Sequence, residues 1–159
     1  MKNRLFITTL CIFASILLGC TTTTVKEEAK GVEEAMTEHP FLYYVWQFEQ
    51  AIENKEPNVE ELLEQALTEV QLAMDEFEVL EVTYDEVEQM REWYLEALFL
   101  YEDALTTIYI EDGEVDQGLL SAYDEQTIEA DKKILQVYTE LISLTEELPE
   151  GLEEMLDIQ

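Results

Sequence analysis

Histidine occurs once in this chain, at His39, and cysteine twice, at Cys11 and Cys20. No cysteine follows residue 20. A disulfide framework, a thiol nucleophile and a cysteine-based metal site are therefore excluded for residues 21–159. A single histidine without a thiol also excludes the usual zinc sites. A serine-hydrolase triad would have to join His39 to Ser121 or Ser143, and neither serine sits in a nucleophile elbow. The Glu-x-x-His motif of di-iron bundles is missing, because Met36 stands three positions before His39. His39 is expected to be a surface capping or loop residue.

Positive charge is nearly as scarce. Lys and Arg total 8 against 38 Asp and Glu, for a net charge of −30. Beyond residue 20 the basic residues are Lys26, Lys30, Lys55, Arg91, Lys132 and Lys133, whereas every acidic residue lies there. Such a surface repels anionic partners. Nucleic acid is excluded as a partner, because its binding relies on Lys and Arg neutralising phosphates. Anionic lipid head groups are disfavoured for the same reason. The acidic residues read as a solvated face. The alternative is a basic partner, or weak binding of divalent cations in a cation-responsive envelope protein.

No motif assigns a reaction. Glu111-Asp112-Gly113-Glu114-Val115-Asp116 invites a calcium-loop reading, but an EF-hand needs glycine at its sixth position and an oxygen ligand at its first. Placing Gly113 sixth puts Ile108 first, and placing Gly118 sixth puts Gly113 first. Paired carboxylates serve glycosidases, yet almost any two helical turns here supply such a pair. A carboxylate-based cell-wall hydrolase is accordingly the lesser alternative. Phosphate loops and dinucleotide fingerprints are absent, so no cofactor is expected.

Long apolar runs are missing too. The longest, residues 5–18, has fourteen residues, short of the roughly 17–25 that a spanning helix needs. It follows the basic start Met1-Lys2-Asn3-Arg4 and ends in Leu17-Leu18-Gly19-Cys20. This is the layout of a secretory signal. Residues 17–20 resemble the lipobox of bacterial lipoprotein precursors. The resemblance covers the first twenty residues. It implies diacylglycerol on the Cys20 thiol and cleavage in front of Cys20, with Cys11 leaving in the signal peptide. It also implies an anchor on the extracytoplasmic face of the cell membrane, or the outer membrane where the host has one. Two acyl chains on one residue hold stably where one is marginal. On this reading residues 1–19 are a signal peptide, and residues 20–37 are the lipidated cysteine and a flexible polar spacer, with a helix over Glu33 to Glu38 as the alternative for its far end. Residues 38–159 are one acidic helical domain.

Proline and glycine are few, at 3 and 5, and apolar residues recur every third or fourth position. Over residues 38–54, Phe41, Tyr44, Val45, Phe48 and Ile52 share one helical stripe. A second helix carries Val59, Leu63, Ala66, Val70, Ala73, Phe77 and Leu80. A third carries Val87, Met90, Tyr94, Ala97, Tyr101, Ala104 and Ile108. A fourth carries Leu120, Tyr123, Thr127, Ala130, Ile134, Val137, Leu141, Leu144 and Leu148, and Pro149 ends it. Asn58 with Glu61, and Thr83 with Glu86, read as capping boxes. Asp112-Gly113 reads as a stop. The unbroken heptads predict an all-α antiparallel bundle of three long helices plus a shorter aromatic N-terminal helix.

Two places offer a partner contact. Tyr43 and Trp46 point away from the aromatic stripe; a neighbouring helix is expected to cover them, and the alternative is a binding site, since exposed Tyr and Trp make good anchors. Leu95 and Phe99 lie opposite the main stripe of the third helix, where the first helix is expected to bury them. Their alternative is a partner site. The function expected is a lipid-anchored extracytoplasmic interaction module with an envelope-protein or cell-wall partner, not an enzyme.

Overall fold

The computed structural model describes residues 23–111 and 114–147. The chain folds as an all-α antiparallel bundle, in which five helices stand as four columns. The first column is α1 (Val25–Glu38) and α2 (Phe41–Asn54). The others are α3 (Val59–Val79), α4 (Asp85–Thr107) and α5 (Gln117–Thr145). A hairpin of β1 (Ile110–Glu111) and β2 (Glu114–Val115) joins α4 to α5, with Ile110 opposite Val115.

The first column corrects the expected flexible spacer at residues 20–37. Helix begins at Val25, under a complete capping box. The Thr24 hydroxyl accepts the Glu27 N–H, and the Glu27 carboxylate accepts the Thr24 N–H at 2.8 Å. This satisfies N–H groups that no helical carbonyl can reach. Ala29, Val32, Ala35 and Met36 then form a buried stripe. Most are small, so α1 lies close to its neighbours and packs on α3, α4 and α5. Pro40 ends the helix. It has no N–H to donate, and it holds His39 in extended backbone (φ −117°, ψ 95°).

Helix α2 resumes the column in the same direction. Lys26, near the start of α1, reaches the Thr145 carbonyl at the end of α5, at 2.7 Å. Tyr123, near the start of α5, reaches Glu49 in the last turns of α2, at 3.0 Å. α1 and α2 together therefore run antiparallel to α5 as one interrupted column.

Neither expected capping box forms. The N-caps of α3 and α4 are Asn58 and Tyr84, and neither side chain makes a capping bond. The start of α4 is capped from outside instead. Glu28 of α1 accepts the N–H groups of both Thr83 and Tyr84. Helix α5 starts with Asp116 accepting the Gly118 N–H at 2.8 Å and stops at Glu146, which is left-handed at φ 58°. Asp112, Gly113, Leu148 and Pro149 lie outside the described residues.

The heptad seams form the core. On α4 six of the seven expected positions are buried, the seventh, Ile108, is buried at its C-cap, and Leu98 and Leu105 join them. That wide stripe lets α4 pack on α1, α3 and α5. The α2 aromatics enter this core. Phe41 sits edge-on to Tyr94 at 6.0 Å and to Tyr101 at 5.2 Å, and Phe48 to Tyr123 at 6.0 Å. The α2 stripe thus packs on the main stripe of α4 and does not cover the opposite face. Leu95 is half-buried at the core margin, whereas Phe99 is 49% exposed. The expected burial of Phe99 is corrected accordingly.

Candidate functional site

Of the residues singled out by sequence, Cys20 lies outside the described residues. Tyr43 and Trp46 do come together on α2. Their rings are 6.3 Å apart and tilted by 30°, and Tyr44 meets Tyr43 edge-on at 5.5 Å. Tyr43 is 49% exposed and its hydroxyl accepts Gln47 Nε2 at 2.6 Å. Trp46 is half-buried. The result is an aromatic ledge whose outer edge is wet, the arrangement in which Tyr and Trp bind best.

Leu95 and Phe99 do not join that ledge. α2 packs side by side with α3, and α3 with α4. α2 and α4 meet through their core stripes, Phe41 against Tyr94 and Tyr101, and Tyr43, Trp46 and Phe99 stand off those stripes on their own helices. The four residues make two separate surfaces.

The structure also assembles two polar clusters. His39, expected on the surface, is only 22% exposed and is held against α3. Its Nδ1 lies 3.6 Å from Glu69 and its Nε2 lies 3.2 Å from Glu76. The buried Glu76 Oε2 has no aligned hydrogen bond, so the histidine contact is an ion-pair geometry only. His39 occupies this position because the helix break at Pro40 turns it out of α1 toward the neighbouring column.

The second cluster lies where α2, α4 and α5 meet. Tyr123 donates to Glu49, and Tyr101 donates to Asp131. Burial pushes the Glu49 carboxyl up. Tyr123's hydrogen bond partly offsets this, while Asp131 and Asp124 add repulsion. Burial also pushes both tyrosine hydroxyls up, reinforced by the same carboxylates. The tyrosines therefore remain protonated donors at neutral pH, each fixed on an acid. One signal for this network was in the sequence. Tyr101 and Tyr123 fall on core stripes, and a buried tyrosine hydroxyl requires a partner. The partners themselves come from other columns.

At the other end of the bundle one acid is paired with two lysines. Glu147 bonds to Lys26 at 2.8 Å and also to Lys30, and these lysines hold its carboxyl down at about 2. Outside the core, an open groove along α5 is lined by Leu100, Ser121, Asp124, Gln126, Ile128 and Lys132, among others. Among the described residues, no group of three or more His, Cys, Asp or Glu could hold a metal ion. Among them too, no helix is long and apolar enough to cross a membrane. Compared with protein-family models, with curated proteins and with solved structures, the chain matches none.

Proposed function

We propose that this protein is a lipid-anchored, extracytoplasmic interaction module of the bacterial envelope rather than an enzyme. The observation that carries the proposal is Leu17-Leu18-Gly19-Cys20 after a short basic and apolar start. Cys20 supplies the thiol for diacylglycerol, and two acyl chains are enough for a stable anchor. The folded bundle gives the anchor a cargo. Its capping box at Thr24 begins close behind Cys20. The acidic surface makes electrostatic docking on anionic lipid unfavourable, which leaves the lipid as the attachment.

The contact surface in this reading is the aromatic ledge of Tyr43 and Trp46, facing an envelope protein or a cell-wall polymer. Phe99, with Leu95 at its margin, is a separate reserve surface on α4.

The test is Cys20→Ala, followed by membrane fractionation and metabolic labelling with a fatty acid. The variant is expected to lose label and leave the membrane fraction. A variant that stays in the membrane would make the uncleaved apolar segment the anchor and remove the lipoprotein reading. A pull-down from membranes comparing the intact protein with Tyr43→Ala/Trp46→Ala tests the ledge. Equal recovery of partners by both would remove it.

A further inference from the structure

The geometry points to one end of the bundle as a lipid-facing surface. We propose that the end carrying Thr23 and the α3–α4 turn rests on the membrane that holds Cys20, with Val79, Leu80 and Val82 as its apolar contact. This rests on the lipoprotein reading above.

Chain length sets the first constraint. Thr23 is tied to the turn, because the Tyr84 hydroxyl donates to its carbonyl at 2.7 Å. Two residues separate Cys20 from Thr23, and the three steps of a fully extended chain span at most about 11 Å. The lipidated residue therefore cannot move far from the α3–α4 turn. The opposite end of α4 is far beyond this reach, since its 23 residues give a length of about 35 Å.

Surface character supplies the second. Val79 is 76% exposed, the highest among the exposed large apolar side chains of the described residues. Leu80 and Val82 beside it are half-buried. Val79 stands beside the exposed Glu78 and Glu81, at the end where chain length places Cys20. It suits the head-group boundary, where a small apolar tip can enter without a spanning helix.

Charge supplies the third. Several acids at this end are already engaged. Glu28 is committed to the Thr83 and Tyr84 N–H groups, and Glu147 to Lys26 and Lys30. Glu81, Asp85 and Glu86 remain exposed. The contact therefore favours zwitterionic over anionic head groups, and added salt should narrow the difference.

The experiment uses the lipidated protein, extracted from membranes and reconstituted in phosphatidylcholine vesicles. Val79→Cys and Tyr109→Cys each introduce one thiol, labelled with an environment-sensitive fluorophore. Tyr109 is 58% exposed and follows the far end of α4. Nitroxide head-group lipids are expected to quench the Val79 probe several-fold more than the Tyr109 probe. Replacing part of the phosphatidylcholine with phosphatidylglycerol should weaken that quenching. Equal quenching at both positions in protein that floats with the vesicles would overturn the orientation and leave the anchor intact. Protein that fails to float would overturn the lipoprotein reading, and the orientation with it.

Discussion

The Glu28 carboxylate of α1 accepts the Tyr84 N–H at 3.0 Å, across fifty-six positions of sequence. It also accepts the adjacent Thr83 N–H. One acidic side chain thus caps the start of α4, the helix that packs on three others, and fastens α1 to the bundle. Glu28→Ala is expected to cost about 1–2 kcal/mol, the range for losing a helix N-cap. Glu28→Gln keeps an acceptor and should cost less. Denaturant unfolding of the two variants checks both statements. Equal stability of Glu28→Ala and the parent would mean that α1 is an appendage.

Phe41 and Phe99 test the core assignment as a pair. Phe41 is fully buried against Tyr94 and Tyr101, so Phe41→Ala should lose about 3–5 kcal/mol. Phe99 is half-exposed, and Phe99→Ala should change stability by no more than about 0.5–1 kcal/mol. Chemical denaturation of both variants measures the contrast. Similar losses would mean that the outer face of α4 is covered.

Glu49 gives a pH dependence of one sign. Burial raises its carboxyl above the ordinary 4.5 in the folded state. In the window above 4.5 the folded protein holds the proton more tightly than the unfolded chain does. Stability therefore falls as pH rises through that window. Glu49→Gln keeps the acceptor for Tyr123 and removes the charge. It should raise the melting temperature at pH 7, and the gain should disappear below pH 4.5. A variant less stable than the parent at pH 7 would contradict this.

Glu147 has the opposite sign. Lys26 and Lys30 hold its folded-state carboxyl at about 2, below its ordinary 4.5. Its contribution is complete above 4.5 and is lost as pH falls toward 2. Glu147→Gln should melt earlier than the parent at pH 7, and the gap should close near pH 2. High salt should also shrink the gap, because the pair is exposed. A gap that persists at pH 2 would place the effect in packing.

Much of the bundle is written in the spacing of large apolar residues. The seams of α3, α4 and α5 could be read because Val, Met, Phe, Tyr and Leu recur every third and fourth position. α1 could not, for a physical reason. Ala29 and Ala35 are buried, yet each offers little apolar area and stands among Lys and Glu. Its Thr24-x-x-Glu27 capping box was as visible as Thr83-x-x-Glu86. The first forms and the second does not, because Glu28 already occupies the N–H groups at the start of α4. His39 caps the end of α1 at the helix break, as its place before Pro40 suggested, but its contacts with Glu69 and Glu76 arise only through the pairing of columns. That Tyr43 and Trp46 share one side of α2 was legible from helical phase, whereas their exposure was not, because a neighbouring helix could have covered them. Nor was their separation from Phe99, because phase says nothing about which helices pack together.

The proposed lipid anchor at Cys20 leaves a mark on the mature chain. The most direct measurement is the intact mass of the protein extracted from membranes, with the sequence of its first peptide. The chain is expected to begin at Cys20 and to carry the mass of a diacylglyceryl group on it. A membrane-bound chain that retains residues 1–19, or that has a free thiol at Cys20, would contradict it.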